Sequence, residues 1–315
     1  MSDSIPALSV VIPLYNKRAT VLRSVDSVVS QLRNGDEVII VDDGSTDGGA
    51  DVVEQRYKGL PFLKLIRQKH QGVSVARNQG ARTARHPYVA FLDADDWWLE
   101  GVRNKFDILI RRWPCANAWS LGHYRVDRER RVPINSGLHE DVLLSGASFV
   151  EHYGRFSGVI NSSSVCVKKQ SLLELGGFPE NITNGEDIYM WLRLALAGSI
   201  AVSPEPLVCI DRQLRPDLPM PPGRNRVGFH YVYFSDPNNL INLNNESRLA
   251  MRKFLFRNGI RQIAGAVARG DRRSGWQIAW TIRAMIPWFP WFASIFFLLP
   301  RPVFVWAFRR RHGIQ

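Results

Sequence analysis

The N-terminal part of the chain alternates between short apolar runs and segments with helical spacing. Four runs rich in β-branched and other apolar residues predict buried strands, namely 8–14, 37–41, 62–66 and 88–92. Three intervening segments predict helices, namely 18–33, 47–57 and 72–85. Strands that alternate with helices predict a mostly parallel central sheet with helices on both faces.

Acidic residues follow two of these strands directly. The second strand ends on Asp42 and Asp43, and the fourth ends on Asp93-Ala94-Asp95-Asp96. Ligands of open α/β sheets bind beyond the carboxyl ends of the strands. The pattern therefore predicts a site at this edge.

The spacing of Asp93 and Asp95 allows both carboxylates to face one hard cation. Proteins hold Mg²⁺ through one or two carboxylates together with substrate phosphates, and such a cation neutralises charge on a leaving diphosphate. Taken alone, the same residues also suit an acidic loop that caps the following helix.

Other polar groups at this edge have two interpretations each. Asp43 could accept hydrogen bonds from a nucleobase or a ribose, or belong to an Asp/Gly turn. Tyr15 could stack on a base or pack against its neighbours. Glu186 and Asp187 begin a helix predicted over 186–197, where the helix dipole favours acidic residues. Either residue could instead act as a general base that deprotonates an acceptor hydroxyl.

Five motifs follow one another in a fixed order: SVVIPLYNK, VDDGSTD, GVSVARNQG, FLDADDWW and NGEDIYMWLRL. Together they resemble the family 2 glycosyltransferases of the GT-A fold, over roughly residues 8–210. The resemblance implies a Rossmann-like α/β domain and transfer from a nucleotide-sugar, by default a UDP-sugar. It also implies inversion by a single displacement, with one Mn²⁺ or Mg²⁺ ion and no covalent sugar intermediate.

The resemblance also implies roles for individual residues. Asp187 matches the catalytic base, with Glu186 beside it. Asp95 matches the direct metal ligand, and Asp93 matches a ribose or metal contact. The donor-binding positions that it implies are Pro13, Leu14, Tyr15, Asp43, Arg77, Asn78, Asp93, Ala94 and Asp95.

The positive charge of the chain is concentrated near its C-terminus. The net charge is +12, and residues 250–315 contribute twelve arginines and lysines against the single Asp271. Residues 276–308 carry five of the ten tryptophans, but their uncharged stretch 284–299 is short and contains two prolines. A spanning helix needs about 20 apolar residues, so a segment in the headgroup region is favoured over a simple span.

The segment 248–269 predicts a basic helix that could lie on anionic lipid, or pack as a cap on the catalytic domain, or form an oligomer contact. We therefore expect a catalytic domain over 1–211, a Pro/Arg-rich loop and connector over 212–247, and a helical, membrane-associating region over 248–315. The expected partners are a nucleotide-sugar, a lipid-linked or saccharide acceptor and a membrane surface, without nucleic acid. No secretory signal is evident and the three cysteines form no ligand pattern, so we expect a cytoplasmic protein at the inner face of the membrane.

The sequence also bears on two other classes of protein. A nucleotidyltransferase acting on sugar phosphates would carry a glycine-rich loop after the first strand, where residues 13–17 read PLYNK. A non-catalytic nucleotide-sugar-binding module would tolerate the loss of Asp95 or Asp187, and both are present. The sequence leaves the sugar, the acceptor and the oligomeric state open.

Overall fold

The computed structural model describes residues 7–127, 130–182, 184–211 and 227–298. The strands within these ranges are β1 (Leu8–Leu14), β2 (Glu37–Asp42), β3 (Leu63–Arg67), β4 (Tyr88–Phe91), β5 (Trp97–Trp98), β6 (Ala118–Asp127), β7 (Arg130–Pro133), β8 (Val142–Ser145), β9 (Val165–Lys168) and β10 (Ser199–Asp211). The α-helices are α1 (Val21–Val29), α2 (Gly49–Tyr57), α3 (Val73–Thr83), α4 (Val102–Arg112), α5 (Gly146–Arg155), α6 (Lys169–Glu174), α7 (Glu186–Leu196), α8 (Phe229–Ser235), α9 (Asn245–Ala268), α10 (Arg272–Ile282) and α11 (Phe289–Leu298).

One sheet joins all of these strands in the order β3-β2-β1-β4-β9-β6-β10-β5, with β7 on β6 and β8 on β10. The first four strands are parallel, as the βα alternation predicts. Antiparallel pairing enters at β9, which lies between β4 and β6. The predicted α/β fold with a central sheet flanked by helices is confirmed.

Strand β1 shows why both faces of the sheet need helices. Val11 belongs to one apolar cluster, and Val10 and Ile12 belong to a second cluster on the opposite face. Successive side chains of a strand point to opposite faces, so an apolar run without alternation must be covered twice. Helices α1, α2 and α4 contribute to the second cluster, and α3, α5 and α7 contribute to the first.

The C-terminal helices α9, α10 and α11 extend the first apolar cluster. Phe254, Ile282 and Phe289 are buried in it. Helix α9 lies close to α5, since a Cβ on Gly154 would come within 3.3 Å of the Phe254 backbone. The predicted helical C-terminal region is therefore confirmed and, on its inner side, packs on the catalytic domain.

The proposed domain boundaries stay a prediction. Of the Pro/Arg-rich loop and connector predicted over 212–247, residues 212–226 lie outside the described residues, as do residues 299–308 of the apolar segment 276–308. Among the helices that the structure describes, none combines the length and the apolar character needed to cross a bilayer.

Candidate active site

The ends of β1 and β2 bring Tyr15 next to Asp43. Pro13 and Leu14 are buried at the end of β1, and the Leu14 carbonyl accepts a hydrogen bond of 2.8 Å from the Asp43 amide. Tyr15 projects beyond the strand and is 44% exposed, with its ring stacked on His70 at a centroid distance of 4.0 Å. An aromatic face that lies at the strand end and is open to solvent is suited to a nucleobase.

The carboxylate of Asp43 is buried and surrounded by donors. It accepts hydrogen bonds of 2.8 Å from the Gln71 and Gly72 amides and from the Gln68 side chain. The His70 Nδ1 lies 2.9 Å from its second oxygen. Asp43 thus holds the loop before α3 in place, which is a structural role. It also lies beside Tyr15, at the position predicted for a donor contact. The neighbouring Asp42 accepts a bond from the Ser45 amide.

Asp93, Ala94 and Asp95 form the turn after β4. Both carboxylates are partly exposed, at 32% for Asp93 and 31% for Asp95. The Lys17 ammonium pairs with Asp95 at 2.5 Å, and the buried Ala94 contributes its carbonyl to a bond with Thr20. The loop after β1 and the loop after β4 are therefore held against each other at one edge of the sheet.

Asp96 anchors this acidic turn from below. Its carboxylate accepts hydrogen bonds from the Ser163 hydroxyl at 2.5 Å and from the Asp211 amide at 2.8 Å. Ser163 in turn accepts a bond from the Asp93 amide. Burial, followed by the charge of Asp93, raises the pKa of Asp96 well above its ordinary value. We did not predict a role for Asp96; its place in the run Asp93–Asp96, directly after a buried strand, was the available signal.

Arg77 connects the two groups of acidic residues. Its guanidinium is buried and donates to Asp93 at 2.8 Å and to Glu186 at 3.5 Å. Burial alone would lower the pKa of Arg77, but the neighbouring carboxylates, Asp93 first, outweigh it and raise that pKa. One permanently charged side chain from α3 therefore joins the turn after β4 to the start of α7.

Asn78 lies next to Arg77 in the sequence but has different neighbours. Its amide donates to the Phe178 carbonyl at 2.8 Å and to Glu180 at 3.2 Å, and its oxygen accepts from the Phe178 amide at 2.8 Å. The Asn78 side chain is thus hydrogen-bonded to segment 178–180. It makes no hydrogen bond to Asp93 or Glu186, the acidic residues that bind Arg77.

Glu186 and Asp187 open helix α7 after Gly185, which has a φ of 81°. The Asp187 carboxylate accepts a hydrogen bond of 2.7 Å from the Ile188 amide. Burial and the charge of Asp187 raise the pKa of Glu186, although Arg77 opposes them. The two carboxylates therefore differ, because Glu186 pairs with Arg77, whereas the second oxygen of Asp187 has no hydrogen-bond partner among the described residues.

Two cations beside the acidic turn escaped our sequence analysis. Lys17 pairs with Asp95, and Arg23 donates to the Asp95 carbonyl at 2.7 Å and to Asp211 at 2.8 Å. The Arg23 guanidinium also lies 4.0 Å from the centroid of Trp97. Lys17 lies on the loop after β1 and Arg23 lies on the first turn of α1. Basic residues are common on loops and on helix surfaces, so the sequence does not indicate a role for either.

The acidic turn supplies only some of the ligands that a divalent cation needs. Among the described residues there is no group of three or more His, Cys, Asp or Glu side chains arranged around one ion. The turn offers two partly exposed carboxylates, which is the number that Mg²⁺ or Mn²⁺ takes from a protein when substrate phosphates supply further ligands.

Comparison with known proteins places this edge in a family. Residues 9–105, from β1 into α4, match the family model described as glycosyl transferase family 2. This segment belongs to glycosyltransferase family 2. The predicted family is confirmed for residues 9–105, and this segment contains Tyr15, Asp43, Arg77 and the acidic turn.

Two relatives and one solved structure extend the likeness. An uncharacterized glycosyltransferase of Rickettsia conorii is 31% identical over 198 residues, which are 61% of this chain and 31% of that protein. TuaG of Bacillus subtilis, named for teichuronic acid biosynthesis, is 29% identical over 64% of this chain and 77% of its own. The crystal structure of S. aureus TarS 1–349 in complex with UDP-GlcNAc matches with a TM-score of 0.72 at 18% identity, covering 89% of this chain and 81% of that one. The match to TarS shows the fold, and the chain spans about a third of the length of the first curated relatives that it matches.

Proposed function

We propose that the protein is an inverting glycosyltransferase that moves a sugar from a nucleotide-diphosphate sugar to an acceptor hydroxyl. The observation that carries this proposal is the Arg77 bridge. It brings the acidic turn after β4, which suits a diphosphate and its cation, next to the start of α7, which offers a carboxylate base. Such a pair of neighbouring groups is what a direct displacement at a sugar carbon requires.

The donor would bind along the ends of β1, β2 and β4. Tyr15 offers a partly exposed aromatic face for the base, and the Asp43 carboxylate lies beside it. UDP is the proposed nucleotide by family resemblance, and TarS, which shares the fold, has been crystallised with UDP-GlcNAc. The diphosphate would lie at the acidic turn, close to the buried Arg77.

Asp93 and Asp95 would hold the Mn²⁺ or Mg²⁺ ion, with Asp95 as the more direct ligand. When bound, the ion supplies positive charge to the diphosphate that leaves. Asp95 pairs with Lys17 in the structure, so ion binding would exchange one cationic partner for another. Lys17 would then be free to contact a phosphate oxygen.

Asp187 would act as the general base. As the acceptor oxygen forms its bond to C1 of the sugar, the bond from C1 to the diphosphate oxygen breaks, and the acceptor proton passes to Asp187. The attack comes from the side opposite the leaving group, so the configuration at C1 inverts. Glu186 is held by Arg77 and would keep the first turn of α7 in place.

We further propose that the acceptor is a lipid-linked saccharide in cell-surface polysaccharide synthesis and that the protein lies on the cytoplasmic face of the membrane. Helices α10 and α11 and the turn between them expose large apolar side chains on their outer surface: Trp280, Trp288, Trp291, Ile295 and Leu298. Arg272, Arg273 and Arg283 lie on or next to the same helices. Tryptophan together with arginine is typical of segments that lie in the headgroup region.

Calorimetric titration with UDP, dTDP and GDP, with and without Mn²⁺, tests the donor site. We expect one nucleotide to bind in a metal-dependent way to the intact protein and to bind at least tenfold more weakly to Asp95→Ala. Asp51→Ala is the matched control, because Asp51 is another surface carboxylate in an ion pair and lies on α2. If the folded protein binds none of the three nucleotides, the proposed donor site is wrong.

A further inference from the structure

His230 is a buried histidine beneath the turn that carries the proposed base. It lies on α8 and is 3% exposed. The first residue of this helix, Phe229, donates a backbone hydrogen bond of 2.9 Å to the Asn184 carbonyl. The N-terminus of α8 is therefore tied to the residue that precedes the Gly185 turn, two positions before Glu186.

Two glycines make room for the imidazole ring. A Cβ on Gly185 would lie 2.5 Å from the His230 Nδ1, and a Cβ on Gly228 would lie 2.6 Å from its Cε1. Real Cβ atoms do not approach other atoms this closely. Gly185 also has a φ of 81°, which other residues adopt at a cost. Both glycines are thus required where the ring and the turn meet, and Nδ1 is the ring atom that faces the turn.

The two nitrogens of the His230 ring have poorly defined hydrogen bonding. Within the described residues neither ring nitrogen has a well-aligned hydrogen bond, although the Gly185 backbone and the Asn258 side chain lie close enough to act on the pKa of the ring. Burial lowers the pKa of His230 to about 4, against which the Asn258 side chain and the Gly185 backbone act. The ring is therefore neutral at physiological pH, with one nitrogen near each of these neighbours. A buried polar group without a partner is costly, so its presence here calls for a function.

We propose that His230 is a positioning residue, whose Nδ1 holds the backbone of the Gly185 turn and thereby aims Asp187 at the acceptor hydroxyl. This proposal rests on the proposed role of Asp187. A shift of about 1 Å in a catalytic group can cost about a hundredfold in rate. The neutral ring suits this task, because it can hydrogen-bond the turn without placing a positive charge near Asp187, where a cation would make the carboxylate a weaker base.

Three substitutions separate the polar role of Nδ1 from the volume of the ring. His230→Asn keeps a polar atom near the position of Nδ1, His230→Gln keeps one near Nε2, and His230→Leu keeps neither. Tyr231→Phe is the matched control, because Tyr231 is the neighbouring buried residue on α8 and its hydroxyl bonds to Asn258. That control changes the contact between α8 and α9 without changing the contact with Gly185.

Activity is measured as UDP release from UDP-GlcNAc, or from the UDP-sugar that the intact enzyme accepts, with octyl β-D-glucoside as the acceptor hydroxyl. We expect kcat to fall about 30-fold in His230→Leu and His230→Gln and to recover to within about threefold in His230→Asn. The affinity for UDP should stay within twofold in all variants, and Tyr231→Phe should resemble the intact protein. Equal loss in the Asn and Gln variants, or an unchanged kcat in His230→Leu, would overturn the proposal.

Hydrogen exchange of the amides in segment 184–189 provides a readout without turnover. We expect faster exchange there in His230→Leu and His230→Gln than in His230→Asn, with unchanged exchange in α3. If the intact protein releases no UDP and binds no nucleotide, the proposed function fails, and this exchange pattern still tests whether His230 holds the turn. Equal exchange in all variants would show that it does not.

Discussion

Asp187 and Glu186 are adjacent carboxylates in the first turn of α7, yet they have different chemical environments. Glu186 faces the buried Arg77, whereas Asp187 accepts one bond from the Ile188 amide and, within the part of the chain that the structure describes, its second oxygen makes no hydrogen bond. We therefore expect Asp187→Asn to lower kcat by about 10² to 10⁴, because general base catalysis contributes about this much. The affinity for the nucleotide should be unchanged, since the base acts on the acceptor. Steady-state kinetics together with nucleotide titration measure both quantities.

A second aspartate provides the control for Asp187→Asn. Asp236 also accepts a hydrogen bond from a nearby backbone amide, that of Asn238 at 2.9 Å, but it follows helix α8 and not a strand of the parallel part of the sheet. Asp236→Asn keeps an oxygen that can accept the hydrogen bond from the Asn238 amide. This substitution should leave kcat unchanged. Near-normal turnover in Asp187→Asn would assign the base to another group.

His230 also has a measurable effect on stability. Its pKa is about 4 in the folded chain and about 6.5 when unfolded, so the unfolded chain takes up a proton at a higher pH than the folded chain does. Stability is full above pH 6.5 and falls as the pH drops from 6.5 towards 4. We expect this one group to cost about 3 kcal/mol across that window.

Urea unfolding at pH 7 and at pH 4 measures this effect when the intact protein is compared with His230→Gln. Carboxylates also titrate below pH 5, but they do so in both proteins, and their contribution cancels in the difference. The intact protein should lose about 3 kcal/mol more than the variant does. Equal losses would mean that the imidazole is not kept neutral by burial.

At the scale of elements, Asp96 joins three parts of the sheet. It follows β4, accepts a bond from Ser163 just before β9 and accepts another from Asp211 at the end of β10. Asp96→Ala would leave the Asp211 amide and the Ser163 hydroxyl without this acceptor. We expect a loss of about 2 to 4 kcal/mol in the free energy of unfolding, measured with urea in metal-free buffer.

The neighbouring Asp95 shows how an exposed carboxylate should behave in the same experiment. It pairs with Lys17, and both side chains are partly exposed, so Asp95→Ala should cost no more than about 1 kcal/mol. Equal destabilisation by the two substitutions would contradict the anchoring role of Asp96. Together the two variants separate the structural part of the acidic run from the part that is proposed to bind metal.

The elements that the sequence predicted most closely are the continuous apolar runs and the segments with helical spacing. Strands β1 to β4 and helix α3 lie within two residues of their predicted bounds. The pattern is clearest in β1 and β2, because every residue of these two strands is buried, as expected for apolar runs that are covered on both faces of a sheet. Helix α1 is shorter than the predicted 18–33, since the segment before it forms a turn in which the amides of Thr20 and Val21 bond to the Lys17 carbonyl. Lys17 and Arg23 escaped prediction because only folding brings them to Asp95.

Strand β10 shows why secondary structure in the middle of the chain is harder to predict from the sequence. It is 13 residues long and contains Pro204 and Pro206, which normally argue against a strand interior. A register shift lies at this point in its pairing with β6. The facing residue on β6 is Gly122, where a Cβ would lie 2.4 Å from the Pro204 carbonyl oxygen. The irregularity therefore depends on a long-range contact, which a local pattern does not reveal.

At the scale of the whole molecule, the C-terminal helices have two different surfaces. Their inner surface belongs to the core, since Cβ atoms on Gly259 would lie 2.5 Å from Ile282 and 2.9 Å from Phe289. Removing residues 276–315 would therefore uncover apolar side chains of α9 and should destabilise the protein. Truncation cannot test membrane binding cleanly, and substitutions on the outer surface are the better experiment.

The triple variant Trp280→Ser, Trp288→Ser, Trp291→Ser tests the outer surface alone. These side chains are 53%, 53% and 82% exposed, so their loss should change the stability little. If they insert into the headgroup region, we expect binding to vesicles with 30% phosphatidylglycerol to weaken at least tenfold in a flotation assay. Intact protein should bind more weakly to vesicles of neutral lipid, because the arginines of this region lose their anionic partners.

The control removes apolar surface of the same kind from the catalytic domain. Ile108 on α4 and Leu173 on α6 are 45% and 40% exposed, and serine at both positions should leave vesicle binding unchanged. Equal weakening in both variants would mean that binding follows total apolar exposure and not the outer surface of α10 and α11. If the intact protein does not bind anionic vesicles, the proposed membrane location is wrong, whereas the proposed donor site is tested separately by nucleotide titration. The acceptor hydroxyl would then have to arrive from solution, because a surface that does not bind lipid offers no means of collecting a lipid-linked substrate.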